Sequence, residues 1–286
     1  MVKWDSHMHP NLLNQPEKAE SFIQRAIELH FDVIYFTDHM PLESSQAPDR
    51  IPKGAIQNYC ARVRELADQY KDQIEIRTGI EMDYEPTATC LRQIEAHLAQ
   101  GSFDLVLGST HLGGDEFSVD TSRYDRDTFA EICLRNNEQA IRSGYFDVLT
   151  HPDAYRWKIE WPNTNQNQPW KVEFPFAAGM DYRPEHHEEA IRAMFEAARA
   201  CNVRVEINSS MIYKAARNPA FDREGPHPAP FFMEIARDYP ELQYTFASDA
   251  HDAKYVGAYY DQLREDPFYH AAICSAEENL PAKRCH

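Results

Sequence analysis

Six histidines, one glutamate and one aspartate fall at the ends of short apolar runs in this chain: His7 and His9, His39, Glu81, His111, His151, and Asp249 with His251. Neutral imidazoles and carboxylates are the donors that hold divalent transition metals, and such ions gathered at strand ends serve hydrolysis. Side chains alternate along an extended segment, so His7 and His9 project to one side while Met8 points to the other. Asp249 and His251 repeat that spacing at the end of the last apolar run. The two pairs are far apart in sequence and meet only if the first and last strands are neighbours, which requires a closed sheet. The remaining histidines, His30, His97, His186, His187, His227, His270 and His286, read as core or loop residues.

The elements that must position these donors alternate between two periods. β-branched and aromatic runs at 2–6, 33–37, 74–80, 104–108, 146–150, 203–207 and 242–247 predict strands. Between them, apolar residues at helical spacing predict helices over 18–30, 56–70, 87–100, 127–143, 185–200 and 230–238, with one more beyond Lys254. Strand–helix alternation favours parallel βα units with right-handed crossovers, and repetition on this scale suits a barrel better than an open sheet. The segments after the strands at 40–55, 112–126, 152–184 and 209–229 are long, whereas those leading back into strands are short. In a βα barrel the loops after the strands build the active face, and every candidate ligand lies at that end. No repeat, linker or low-complexity tail divides the chain, so a single domain spanning 1–286 is expected.

Composition narrows the function. A formal net charge of −17 disfavours nucleic acid, so a phosphate site needs its own local positive potential, which bound metals would supply. No apolar run approaches membrane-spanning length, and Met1-Val2-Lys3-Trp4-Asp5 does not open a secretory leader; the expectation is a cytoplasmic protein with no membrane partner. Six scattered cysteines without a C-x-x-C pair read as reduced, mostly buried thiols. Oligomeric state is left open.

The segments Asp5-Ser6-His7-Met8-His9, Thr37-Asp38-His39, Gly79-Ile80-Glu81, Gly108-Ser109-Thr110-His111, Thr150-His151-Pro152-Asp153, Glu206-Ile207-Asn208-Ser209-Ser210 and Ser248-Asp249-Ala250-His251 resemble the polymerase-and-histidinol-phosphatase (PHP) metallophosphoesterases. Within that superfamily the match is similar to the histidinol-phosphate phosphatase branch. The resemblance implies a distorted (βα)7 TIM-like barrel whose C-terminal face holds two or three divalent ions (Zn, Mn or Fe). It implies that His7, His9, Glu81 and Asp249 bind a first ion, that Glu81 bridges to a second shared with His111 and His151, and that His39 and His251 hold a third. Where the family often adds a third-site histidine or aspartate, this chain has Gln15. The activity implied is hydrolysis of L-histidinol phosphate in histidine biosynthesis; the alternative is another small phosphate ester or a phosphodiester. An amidohydrolase, which also opens with H-x-H, fits less well, because Glu81 and the Asp249–His251 pair depart from its lysine bridge and lone aspartate.

Two dications against two ionised carboxylates leave a net positive site, able to attract a phosphate dianion and to activate a bridging hydroxide in line with phosphorus. Arg156, Lys158, Lys214 and Arg217 on the long loops are candidate phosphate contacts. Where the family places an arginine after the E-I-N element, Tyr213-Lys214 stands here. Asp38 and Asp153, beside expected ligands, are candidate proton donors or carboxylates that orient an imidazole. Glu206 and Asn208 are expected to shape the floor of the site. The aromatic segment 157–184 reads as a lid or structural cover over the barrel mouth.

Overall fold

The computed structural model describes residues 1–43, 47–111, 120–160, 176–216 and 225–282. Seven parallel strands pair in chain order into one sheet. β1 (Trp4–Asp5) is followed by α1 (Pro16–Glu28), β2 (Val33–Phe36) by α2 (Ile56–Tyr70), and β3 (Glu75–Asp83) by α3 (Ala88–Gln100). β4 (Leu105–Ser109) leads to α4 (Arg126–Arg142), and β5 (Val148–Leu149) to a short α5 (Arg156–Glu160) and then α6 (Glu188–Cys201). β6 (Arg204–Asn208) is followed by α7 (Ser210–Ala216) and α8 (Pro230–Ala236), and β7 (Tyr244–Ala247) by α9 (Tyr260–Glu265) and α10 (His270–Glu278).

The alternation of strand and helix follows the sequence periods, with three additions: α5, α7, and a second helix beyond Lys254, where α9 and α10 replace the one expected. α5 and α7 lie inside segments expected to be loops, because both are too short for helical spacing to stand out. β3 also runs three residues further than expected, so Glu81 lies within the strand and Asp83 ends it.

The sheet closes just beyond its first and last strands. Ser6 N–H donates to Phe246 O at 2.9 Å, Asp249 N–H to His7 O at 2.8 Å, and His9 N–H to Ala250 O at 2.8 Å. Met8 pairs in parallel with Ala250 along this seam. The buried Asp5 carboxylate clamps the same joint, accepting from the N–H groups of His7 (3.3 Å), Ser248 (3.0 Å) and Gly257 (3.2 Å). Burial pushes its pKa up to about 6, against the pull of those donors.

A contiguous apolar core fills the space around the sheet. α1 shows how the helices join it: Ala19, Phe22, Ile23 and Ala26 lie on one face and are buried, each large side chain contributing about 1.5–3 kcal/mol. At the opposite end of the barrel from the site, α10 forms a floor, where Trp4 Nε1–H donates to Ala276 O at 2.8 Å. Cys60, Cys90 and Cys133 are buried free thiols. No helix among the described residues is long and apolar enough to cross a membrane.

Gly257 tests the seam. It has φ +63°, and a Cβ there would lie 2.4 Å from the Phe31 ring. Gly257→Ala is therefore expected to lower the unfolding free energy by about 1–3 kcal/mol, measured by urea denaturation. An unchanged midpoint would contradict the strain argument.

Candidate metal centre

The eight expected ligands come from the ends of separate strands and converge on Glu81. One oxygen of this buried carboxylate, Oε2, lies 3.3 Å from His7 Nε2, 3.3 Å from His9 Nε2 and 2.8 Å from His39 Nδ1. The other, Oε1, lies 3.3 Å from His151 Nε2 and 3.6 Å from His111 Nε2, and accepts from the Ser109 hydroxyl. Asp249 Oδ1 faces His9 Nε2 at 3.5 Å, His251 Nδ1 at 3.6 Å and His7 Nε2 at 4.0 Å. Three sets have ligand atoms within 4.8 Å of one another: His7, His9 and Asp249; His39, Glu81 and His111; and His9, His39 and His251. The last contains imidazoles alone. Gln15 is the residue that precedes α1.

The donor chemistry fits cations. His7 Nδ1 meets Glu206 Oε1 at 2.7 Å, and His111 Nδ1 meets Asp83 Oδ1 at 2.9 Å. An ionised carboxylate only accepts, so each Nδ1 carries a hydrogen and Nε2, the nitrogen left to bind a cation, faces Glu81. Ring nitrogens and carboxylate oxygens packed this closely need positive charge among them, as protons on the rings or as cations that displace those protons. His9 Nδ1, His39 Nδ1 and Glu81 Oε2 are moreover buried without an aligned hydrogen bond; the 2.8 Å approach of His39 to Glu81 is close but out of line. The field has the same sign. Burial alone would lower the pKa of His7, yet Glu206 and Glu81 hold it well above its ordinary value. Burial opposes ionisation of Glu81 and Asp249, but His39, His7 and His111 around the first, and Lys214, His9 and His7 around the second, hold both well below the carboxylate range.

Backbone strain is stored at two of these positions. Asp249 has φ +50° and His151 φ +22°, left-handed values uncommon for residues with a Cβ. Glu206 anchors the second, with Oε2 accepting the His151 N–H at 2.8 Å and Asn208 Nδ2–H at 2.9 Å.

The other candidates are placed differently from one another. Asp38 accepts from the N–H groups of Asn11 (2.9 Å) and Leu12 (2.7 Å), one on each oxygen. It therefore shapes the turn after His9, and burial raises its pKa against the pull of His9 and these N–H groups. Asp153 accepts from Arg156 Nη1–H at 2.8 Å and Ala229 N–H at 2.9 Å on Oδ2, and faces His227 Nδ1 at 2.5 Å on Oδ1. Burial opposes its ionisation, but His227 and Arg156 hold its pKa far below the ordinary value, so it stays an acceptor. Arg156 is buried against Asp153, one layer behind the cluster. Lys158 lies near Cys133 of α4, and burial pushes its pKa down to about 8. Lys214 reaches the cluster, 3.1 Å from Asp249 Oδ2, and stays partly exposed at the mouth. Arg217 and residues 161–175 of the aromatic segment lie outside the described residues. Beyond them the chain returns along α4, where Ala177 N–H donates to Tyr124 O at 2.8 Å.

Asp83 and Asp5 escaped the sequence reading although a signal was present. Each sits two residues from an expected ligand on a strand, and so on the same side of it. Arg50, which donates to Asp83 Oδ2 at 2.7 Å, and His227 come from irregular segments, where no periodicity marks them.

Comparison with known proteins agrees with this geometry. The family model described as PHP domain matches residues 5–210, and the chain belongs to that family. The histidinol-phosphatase of Bacillus subtilis (strain 168) is 24% identical over 282 residues, covering 93% of this chain and 99% of that protein. Two solved structures share the fold. A candidate histidinol phosphatase from Listeria monocytogenes superposes with a TM-score of 0.69 at 18% identity, covering 91% of this chain and 99% of that one. Histidinol phosphate phosphatase from Lactococcus lactis, complexed with zinc, L-histidinol and phosphate, superposes with a TM-score of 0.64 at 16% identity, covering 98% and 94%.

Glu206→Gln keeps the shape of the side chain but removes the charge that orients His7. Metal affinity, read by competition with a chromogenic chelator, is expected to fall about 10–100-fold. Unaltered affinity would mean that Glu206 does not tune this ligand.

Proposed function

We propose that this chain is a cation-dependent phosphomonoesterase and that its substrate is L-histidinol phosphate, released as L-histidinol and phosphate. One observation carries the reading: a buried glutamate, Glu81, whose two oxygens face the ring nitrogens of two different sets of imidazoles. His7, His9, Glu81 and Asp249 would hold one divalent ion, Glu81, His111 and His151 a second, and His39 and His251 a third. When bound, the ions, of zinc, manganese or iron, supply Lewis acidity toward phosphoryl oxygens and make water nucleophilic near neutral pH.

The chain's own side chains do the rest. Glu206 and Asp83 lock the tautomers of His7 and His111, so the site is preorganised before substrate arrives. Lys214 is held at the mouth by Asp249 and Ser210 Oγ, with its ammonium placed to donate to a phosphate oxygen in their stead. Burial of the carboxylates keeps water from screening these charges. The acidic remainder of the surface turns away nucleic-acid backbones and leaves small phosphate esters as the class admitted. The named relatives' substrate, the fit of the cluster to cations and the absence of a membrane-spanning helix among the described residues support a cytoplasmic biosynthetic enzyme acting as one catalytic unit.

Phosphate release from L-histidinol phosphate should exceed that from a panel of sugar phosphates, nucleotides and phosphodiesters. Exhaustive chelation should lower turnover by at least about 10²-fold, with recovery on adding zinc or manganese. Equal rates across the panel would remove the substrate assignment; full activity without metal would remove the mechanism. Lys214→Ala is expected to cost about 1.5–3 kcal/mol of transition-state binding, or about 10–100-fold in kcat/KM, with Lys214→Arg retaining most of it.

A further inference from the structure

His227 repeats, beside the cluster, the arrangement that aims His7 and His111 into it. Its Nδ1 lies 2.5 Å from Asp153 Oδ1. Asp153 is fully buried and its second oxygen is taken by Arg156 and Ala229 N–H, so the carboxylate orients the ring from behind. The backbone of His227 is fixed as well: its N–H donates to Asn208 O at 2.8 Å, and its carbonyl accepts from Asn208 N–H at 2.7 Å. Its ring meets that of His151 edge-on, with centroids 6.1 Å apart. No other described side chain hydrogen-bonds its Nε2, and His227 belongs to none of the three ligand sets.

We propose that His227, positioned by Asp153, recognises the alcohol half of the ester, its Nε2 accepting a hydrogen bond from an ammonium group of the substrate. The inference rests on the phosphatase reading above and deepens it. An ionised Asp153 requires hydrogen on Nδ1, which leaves Nε2 of the neutral ring as an acceptor and not a donor. Arg156 offsets the charge of Asp153, so the substrate meets a neutral, rigid acceptor. With phosphorus over the Glu81 cluster, a group lying about one ring's width past His151 belongs to the leaving alcohol and not to the phosphoryl group. Such an acceptor selects esters of amino alcohols over esters that carry no donor. His227 touches substrate in this account; Asp153 is a positioning residue that acts through it.

The test compares wild-type enzyme with His227→Ala, His227→Gln and Asp153→Asn on L-histidinol phosphate, O-phosphoethanolamine and phenyl phosphate, with metal content measured for each protein. His227→Ala should lower kcat/KM for the two amine-bearing esters about tenfold more than for phenyl phosphate, mainly through KM. Gln, which keeps an acceptor at similar reach, should restore part of that ratio, and Asp153→Asn should shift it in the same direction. Equal losses on all three esters would assign His227 a structural role and overturn the proposal. Loss of bound metal in His227→Ala would make it a ligand and also overturn it. A wild-type enzyme that does not favour L-histidinol phosphate would instead overturn the substrate assignment, while the ratio of O-phosphoethanolamine to phenyl phosphate would still decide the role of His227.

Discussion

The joint between the first and last strands is the constraint on which the rest depends. Three backbone hydrogen bonds, Ser6 to Phe246, Asp249 to His7 and His9 to Ala250, close the sheet. Apart from Phe246, the residues that make them are the ligand pairs themselves or their immediate neighbours. Barrel closure and assembly of the site are therefore one event. A sheet left open at this seam would separate His7 and His9 from Asp249 and His251. Asp5, buried at the seam and accepting from both sides of it, secures the joint without entering the cluster.

The interior of the site would be unstable as a collection of bare side chains. Carboxylate oxygens and imidazole nitrogens face one another at 3–4 Å, away from water, where electrostatic interactions are strong. The fold resists their separation by holding them on strand ends, by fixing tautomers through Glu206 and Asp83, and by accepting left-handed backbone at His151 and Asp249. Divalent cations supply the positive charge that the buried carboxylates require, and the same cations make a locally positive site in a chain whose net charge is −17. Overall acidity and phosphate chemistry are thus compatible because the positive charge is confined to one face of the barrel.

Much of this was legible in the residues. The strand and helix periods placed all seven strands, because each buried strand is a short apolar run and each helix shows one apolar face. The ligands stood out because histidine and carboxylate at the ends of such runs serve no packing purpose. What the sequence hid was pairing. Asp38 and Asp153 looked equivalent, each next to a histidine in the chain, yet one holds a turn and the other reaches across 74 residues to His227. Arg156, a candidate for phosphate, is consumed by Asp153, whereas Lys214 reaches the cluster because α7 turns it back over Asp249. Partner choice among charged side chains is set by tertiary geometry, and no local period encodes it.

The account makes Glu81 the shared wall of adjoining cation sites, and the most direct measurement is metal content beside phosphate release in wild-type protein and Glu81→Ala. Wild-type chains should retain at least two tightly held divalent ions and hydrolyse L-histidinol phosphate. The variant, folded by circular dichroism, should lose bound metal and turnover together. A folded Glu81→Ala protein that keeps its full metal complement and its rate would contradict the account.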